Sequence, residues 1–345
     1  MTVSKIPTNN ILTLDIDAFM LKAKAVIHEV FQNKSILTVP DHKKEAANDQ
    51  DYITKPLTPL YAWAGGKRRL IAAYKPYLPD FSKLKHYVEP FFGAGAMFCE
   101  VFNNHRDSVK SYHLNDINKE IVNLLKTIKA DCSGFIDELK AIEQLNYYKT
   151  VEGQKHFYYS LREQYRSLPT GEQWTLKGTA MFYFLLTRMF RGLYQQKHGK
   201  IYTSFQQNKK GFDYENIKNW SVALQNAVIT CGSYEKVRVN KKSFLFCDPP
   251  YRDCSVMYST SFNDHNQEEC FKWIQGKVKD KQVYSLLCNK DIGDGFFSKI
   301  DDKTTNSEQV VIPYQHLKGK KRTNPVKELL MVFKSETPTF TLKAA

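Results

Sequence analysis

Asp248-Pro249-Pro250-Tyr251 stands directly after an apolar run, Ser243-Phe244-Leu245-Phe246-Cys247. An acid and an aromatic ring around two prolines suit chemistry on a planar amine. An exocyclic amino group on an aromatic base is a poor nucleophile, because its lone pair is delocalised into the ring. Acceptors at Asp248 and at the Pro249 carbonyl would hold its two hydrogens and favour a pyramidal nitrogen. The lone pair would then point at an electrophilic methyl, with Tyr251 stacked on the base. Orientation and electrostatics supply most of such catalysis. A base inside a duplex reaches a pocket of this kind only by leaving the stack.

A strand must position these residues. The run 243–247 reads as a buried strand, and neither proline has an N–H with which to continue a sheet ladder. The chain leaves the sheet stiffly, with Asp248 and Tyr251 fixed at the strand's carboxyl end. That edge is where open α/β sheets place their ligands. Cys247 adjoins Asp248, but inside an apolar strand it reads as a structural thiol.

A second group of residues is consistent with that edge. Tyr87–Phe91 reads as a strand running into Phe92-Gly93-Ala94-Gly95-Ala96, with a helix over 96–103. Another strand spans Val109–Leu114 and closes at Asn115-Asp116, before a helix over Asn118–Ala130. Glycines let the backbone approach a ligand closely. An acid at the end of the next strand suits ribose hydroxyls. Phe98 breaks the full G-x-G-x-x-G fingerprint, and Asp116 has an alternative role as a helix cap. Upstream, Tyr61-Ala62-Trp63-Ala64-Gly65-Gly66-Lys67-Arg68 precedes a helix starting near Arg69. It reads either as a loop over a cofactor, with Trp63 stacking and Lys67 meeting a carboxylate, or as a basic surface turn.

The remaining elements divide the chain. Strands are expected at Ala227–Thr230, Phe244–Cys247, Val283–Cys288 and Glu328–Phe333. Residues 131–222 break the α/β alternation and read as an inserted, mostly helical lobe. In it a long apolar helix over Thr175–Phe190 precedes a hairpin over 191–205 that turns near His198-Gly199. Residues 1–55 read as a separate extension, with a helix over 15–31 and a polar linker over 41–51. The catalytic part is then 56–130 plus 223–345.

The chain has 345 residues, 50 Lys+Arg against 36 Asp+Glu and a formal net charge of +14, which suits a polyanionic partner. Arg188, Arg191, Lys197, His198, Lys200, Lys209 and Lys210 cluster in the lobe with Tyr194, Tyr202 and Phe205. Cations interleaved with aromatics suit contact with phosphates and bases. Lys318-Gly-Lys-Lys-Arg322 is a second basic run. Seven scattered cysteines without a Cys-x-x-Cys pair argue against a zinc site or disulfide framework, so no metal is expected. With no run of about 20 apolar residues and no secretory leader evident, a cytoplasmic protein is expected.

These motifs together resemble the Dam-like (D12 class) DNA adenine-N6 methyltransferases. Trp63-Ala-Gly-Gly-Lys67 is similar to the family's first cofactor motif, and Glu89-Pro-Phe-Phe-Gly-Ala-Gly95 to its S-adenosylmethionine loop. Asn115-Asp116-Ile117-Asn118 is similar to its ribose-binding acid, and Asp248-Pro249-Pro250-Tyr251 to its catalytic tetrapeptide. Weaker similarity lies in Phe262-Asn-Asp-His265, Ser285-Leu-Leu-Cys-Asn289 and Glu328-Leu-Leu330. The likeness spans roughly residues 58–333. It implies a Rossmann-like seven-stranded methyltransferase sheet, S-adenosylmethionine as donor and double-stranded DNA as partner. Trp63, Lys67, Phe92, Gly93, Gly95, Asp116 and Asp248 would hold the cofactor. Asp248, Pro249, Pro250 and Tyr251 would be the catalytic residues, with Asp248, Pro249 and Tyr251 holding the adenine, and Arg188, Arg191, Tyr194, Lys197, His198 and Lys200 would bind the DNA. A restriction partner is compatible with this. The same machinery acting on RNA or single strands, or a non-catalytic DNA-binding scaffold, are the alternatives. The chain departs from the family pattern twice. Cys231-Gly232-Ser233-Tyr234 lies where members often carry Asp-Phe, and Arg191-Gly192-Leu193 lies where they have Asn-Gly-Leu. A GATC target is therefore not implied.

Overall fold

The computed structural model describes residues 53, 55–145, 150–207, 211–252, 262–281, 283–303, 305–314 and 326–335. The expected helix over 15–31, the linker over 41–51, Lys209, Lys210 and the basic run 318–322 lie outside them. All described residues belong to a compact unit that spans Asp51–Ala345.

The core is a seven-stranded sheet. Its strands are β1 (His86–Glu89), β2 (Ser111–Asp116), β5 (Ala227–Cys231), β6 (Ser243–Cys247), β7 (Tyr284–Lys290), β8 (Asn306–Tyr314) and β9 (Val326–Lys334). A two-stranded hairpin of β3 (Gln196–Lys197) and β4 (Lys200–Ile201) stands apart from it. The sheet order is β5-β2-β1-β6-β7-β9-β8, parallel except at β9, which runs antiparallel to both β7 and β8. This is the mixed α/β, Rossmann-like arrangement expected of a methyltransferase sheet.

The buried strand β6 shows why the sheet forms. All five of its residues are buried. Side chains alternate faces along a strand, so Phe244 and Phe246 enter the core layer that holds Tyr74 and Tyr87. Leu245 and Cys247 enter the opposite layer, with Phe271, Ile274 and Met331. A strand covered on both faces needs apolar residues at every position, and each buried Phe or Leu contributes roughly 1.5–3 kcal/mol.

The topology also locates the crevice. From β1 the chain moves outward through β2 to β5. It then returns to β6, on the other side of β1, and moves outward the other way. The boundary between β1 and β6 is therefore the switch point, where their carboxyl ends diverge and leave room for a ligand. Val88 of β1 pairs with both His113 of β2 and Leu245 of β6, so the residues after all three strands share one edge.

Helices α1 (Ala96–His105) and α2 (Lys119–Ala130) follow β1 and β2. Residues 131–222 carry α3 (Cys132–Gln144), α4 (Val151–Arg166), α5 (Leu176–Leu186) and most of α6 (Tyr214–Leu224). Helix α5 is shorter than its apolar run. Thr175 caps its start through Gly178 N–H. Its end is set by pairing with the far side of the hairpin: Phe190 N–H donates to the Ser204 carbonyl at 2.9 Å, and Gln206 N–H to that of Arg188 at 2.8 Å. Those bonds take residues 187–190 out of the helix. The hairpin turn has positive φ at His198 (51°) and Gly199 (71°), the type I′ geometry that matches strand twist.

Among the elements that the sequence did not reveal are an edge strand and a long helix. Strand β8 is an edge strand, polar over Asn306-Ser-Glu-Gln309 and carrying Pro313, so it lacks the apolar signature. Helix α7 (Asp264–Lys281) buries Gln267, Cys270, Phe271, Ile274, Gln275 and Val278 at helical spacing, but its two glutamines disguise the apolar stripe. Among the described residues no helix is long and apolar enough to cross a membrane.

Candidate active site

Asp248 leaves β6 at the switch point and meets Lys67. The ammonium lies 2.6 Å from the Asp248 carboxylate and donates to the Gly65 carbonyl at 2.9 Å. Lys67 is buried, and Asp248 is partly open to the cleft. Burial raises the Asp248 carboxyl above its ordinary value, and the Lys67 charge opposes that rise. Burial would lower the Lys67 ammonium, but Asp248 and Glu328 hold it above its ordinary value. The ammonium also sits 4.6 Å from the centre of the Tyr251 ring. Behind that ring, the hydroxyls of Tyr251 and Tyr74 both donate to the buried Glu328 carboxylate.

The glycine turn after β1 faces Asp248 across an open cleft of about 2060 Å³. Asp116, at the end of β2, accepts from Gly93 N–H at 2.8 Å and from Asn118 N–H at 2.9 Å. Burial raises its carboxyl, and these backbone donors oppose the rise. The cap of α2 is Asn118, whose side chain accepts from Ile121 N–H, so Asp116 does not cap the helix. Ile117 lines the cleft with its side chain largely exposed. Phe92 is buried beneath the turn against Phe98 and Trp220. A Cβ on Gly95 would lie 2.4 Å from the Phe92 ring, and one on Gly93 would lie 3.2 Å from the Trp63 indole.

Trp63 joins this loop to the lobe. Its indole stacks on Tyr194 at 5.8 Å, and the neighbouring Tyr61 donates to the Gly93 carbonyl at 2.6 Å. Ala64 N–H donates to the Gly192 carbonyl at 3.0 Å. The motif around Trp63 and the root of the hairpin are thus one bonded assembly.

Residues 63–321 match the model of the D12 class N6 adenine-specific DNA methyltransferases. The chain belongs to that family. Among its relatives is the type II methyltransferase M.MjaIII of Methanocaldococcus jannaschii, 30% identical over 288 residues, covering 79% of this chain and 98% of the relative. The DNA adenine methylase of Haemophilus influenzae is 25% identical over 288 residues, covering 80% and 93%. That of Vibrio cholerae is 28% identical over 240 residues, covering 66% and 80%.

In this D12-class chain the sequence-derived residues fall into three groups. Trp63, Lys67, Phe92, Gly93, Gly95, Asp116, Asp248, Pro249, Pro250 and Tyr251 all line the cleft, as do Arg191, Tyr194 and Lys200. Lys197 and His198 are exposed at the hairpin tip. Arg188 is not brought to the cleft. Its guanidinium lies 3.7 Å from the Phe184 ring centre and 4.9 Å from that of Phe212, and it donates to Thr187 Oγ1. Tyr194 is buried, its ring stacked on Trp63 and in edge-on contact with Phe182, a packing position. In place of the missing Asp-Phe, Ser233 and Glu235 reach the cleft wall, with Ser233 Oγ donating to Glu235 at 3.3 Å. Glu328, Gln267 and Asn289 escaped the sequence reading of the site. The weak likenesses at Ser285–Asn289 and Glu328–Leu330 were the signals for two of them.

Proposed function

We propose that this protein is a site-specific DNA adenine-N6 methyltransferase that takes its methyl group from S-adenosylmethionine and acts on an adenine turned out of duplex DNA. The observation that carries this reading is the placement of Asp248-Pro249-Pro250-Tyr251 at the switch point, opposite the glycine turn. The cleft residues fit the cofactor. Gly93 has no side chain to press on the Trp63 indole, which packs against the turn, Asp116 offers a carboxylate for ribose hydroxyls, and Ile117 offers apolar cover for an adenine ring. When bound, the cofactor supplies an electrophilic methyl.

The chain's own residues then orient the amine. Asp248, ionised and held by Lys67, accepts one amino hydrogen, and the Pro249 carbonyl accepts the other. Two acceptors on one side of the nitrogen leave its lone pair directed away from them, toward the donor. Tyr251, anchored through its hydroxyl, stacks on the base. The lobe within 131–222 brings the DNA, with Lys197, His198 and Lys200 on phosphates and Arg191 at the mouth of the cleft. Preorganised acceptors of this kind act without reorganisation during the reaction.

The test is incubation with radiolabelled S-adenosylmethionine and mixed-sequence duplex DNA, followed by nucleoside analysis. Label in adenine is expected. Cofactor binding without any label in adenine would overturn the reading, and competition by single strands or RNA measures the preference for duplex.

A further inference from the structure

The buried side of the tetrapeptide holds a chain of side-chain amides with no part in the chemistry described above. Gln267 of α7 donates from Nε2 to the Pro250 carbonyl at 2.7 Å. Its Oε1 accepts from Nδ2 of Asn289, in β7, at 2.9 Å. Oδ1 of Asn289 accepts from the backbone N–H of Arg252 at 3.1 Å and from that of Lys290 at 2.9 Å. Both amides are buried, Gln267 at 1% and Asn289 at 0% exposure. Their orientation is fixed by the groups at the two ends. A carbonyl can only accept and a backbone N–H can only donate, so only one arrangement of the two amides satisfies the chain.

The same stretch is pinned from other sides. Arg252 makes a two-pronged contact with Asp264, at 2.7 and 2.9 Å, and reaches Asp294. Tyr251 is held by Glu328. Pro250 is therefore tied from α7, Tyr251 from β9, and Arg252 from α7, from Asn289 of β7 and from Asp294. The proline rings lock φ at both positions 249 and 250. The torsion that still decides where the Pro250 peptide points is its ψ, and the Gln267 bond fixes it. The two residues before that anchor, Asp248 and Pro249, are the ones that present acceptors to the cleft.

We propose that Gln267 and Asn289 are positioning residues for methyl transfer, a two-amide relay that sets the direction of the Asp248 and Pro249 acceptors. The inference rests on the methyltransferase reading above. Neither residue lines the cleft, so their effect falls on the geometry of the reacting amine and not on binding of cofactor or DNA. Buried amides with a full set of partners are well suited to this, because every alternative orientation leaves a polar group unpaired.

Two variants test it. Gln267→Met keeps length and removes both hydrogen-bonding atoms. Asn289→Asp keeps the acceptor for Arg252 but sets a carboxylate oxygen against Gln267 Oε1. The Gln267 amide must then turn over and withdraw its donor from Pro250. Single-turnover methyl transfer, cofactor titration and DNA binding are measured for wild type, both variants and the double variant. Each single variant is expected to transfer about 100-fold more slowly, the scale of a small misplacement of reacting groups. Cofactor and DNA affinities stay within about twofold, and the double variant is no slower than Gln267→Met alone, because the relay acts as one unit. Three results would each overturn the relay: transfer within about threefold of wild type, a rate loss matched by an equal loss of cofactor affinity, or additive losses in the double variant. If Gln267→Met does not fold, Asn289→Asp carries the comparison by itself. Wild type without label in adenine would instead overturn the methyltransferase reading, so the two failures are distinguishable.

Discussion

At the scale of single residues, the Lys67–Asp248 pair sets how the site responds to pH. The proposed role of Asp248 needs the carboxylate. Burial raises its folded-state pKa above the ordinary 3.8, and Lys67 holds it back from rising further. Activity is therefore present above that raised value and lost as pH falls through it. The acid limb of the methyl-transfer rate should lie above the ordinary aspartate value. Lys67→Met should move it to still higher pH, and a pH–rate profile of both proteins checks this. A Lys67→Met limb at the wild-type position would show that the pair does not control ionisation. Stability carries the opposite sign: a carboxyl with a raised folded-state pKa favours the fold at low pH, and that contribution is lost as pH rises through the same window. Asp248→Asn preserves shape but turns one acceptor edge into a donor. It should abolish methyl transfer while leaving DNA binding largely intact, as measured by transfer assay and DNA titration.

At the scale of elements, the joint between the Trp63 loop and the hairpin root is the most sensitive point. Gly192 has φ 66°, and a Cβ there would sit 2.7 Å from the Ala62 carbonyl. Gly192→Ala is expected to cost about 1–3 kcal/mol of stability, read from urea denaturation, and to weaken cofactor binding through the displaced Trp63 loop. Unchanged stability and affinity would show that the joint gives way freely. The strands that frame the cleft were legible because buried parallel strands must be apolar throughout, as at Phe244–Cys247, and because two prolines stop a ladder. Strand β8 was not legible, since an exposed edge strand needs no such pattern. Helix α7 was hidden because its buried face includes Gln267, which is buried to hold Pro250 and not to fill space. A similar limit applies to Arg188 and Tyr194. Their types suit DNA, but Arg188 lies against Phe184 and Phe212 and Tyr194 against Trp63 and Phe182, and of these rings only Phe184 is a near neighbour in sequence.

At the scale of the whole molecule, the net charge of +14 and the basic hairpin tip predict DNA affinity that falls steeply with salt. Each phosphate contact contributes about one unit to the slope of log affinity against log salt. Lys197→Gln and Lys200→Gln should each reduce that slope by about one unit and weaken all sequences alike. Arg191→Ala, at the mouth of the cleft, should instead relax sequence choice. Binding isotherms over a salt series on several duplexes separate the two effects. An unchanged slope in both lysine variants would remove the hairpin tip from the interface. Methylation of adenine in DNA at the β1–β6 switch point is best tested in a cell. DNA from an adenine-methylation-free host expressing either wild type or Asp248→Asn is sequenced by a method that detects N6-methyladenine. Modified adenine within a defined short sequence is expected in the wild-type sample and none with Asp248→Asn. Unmodified adenine in both samples despite expressed, folded protein, or equal modification in both, would contradict it.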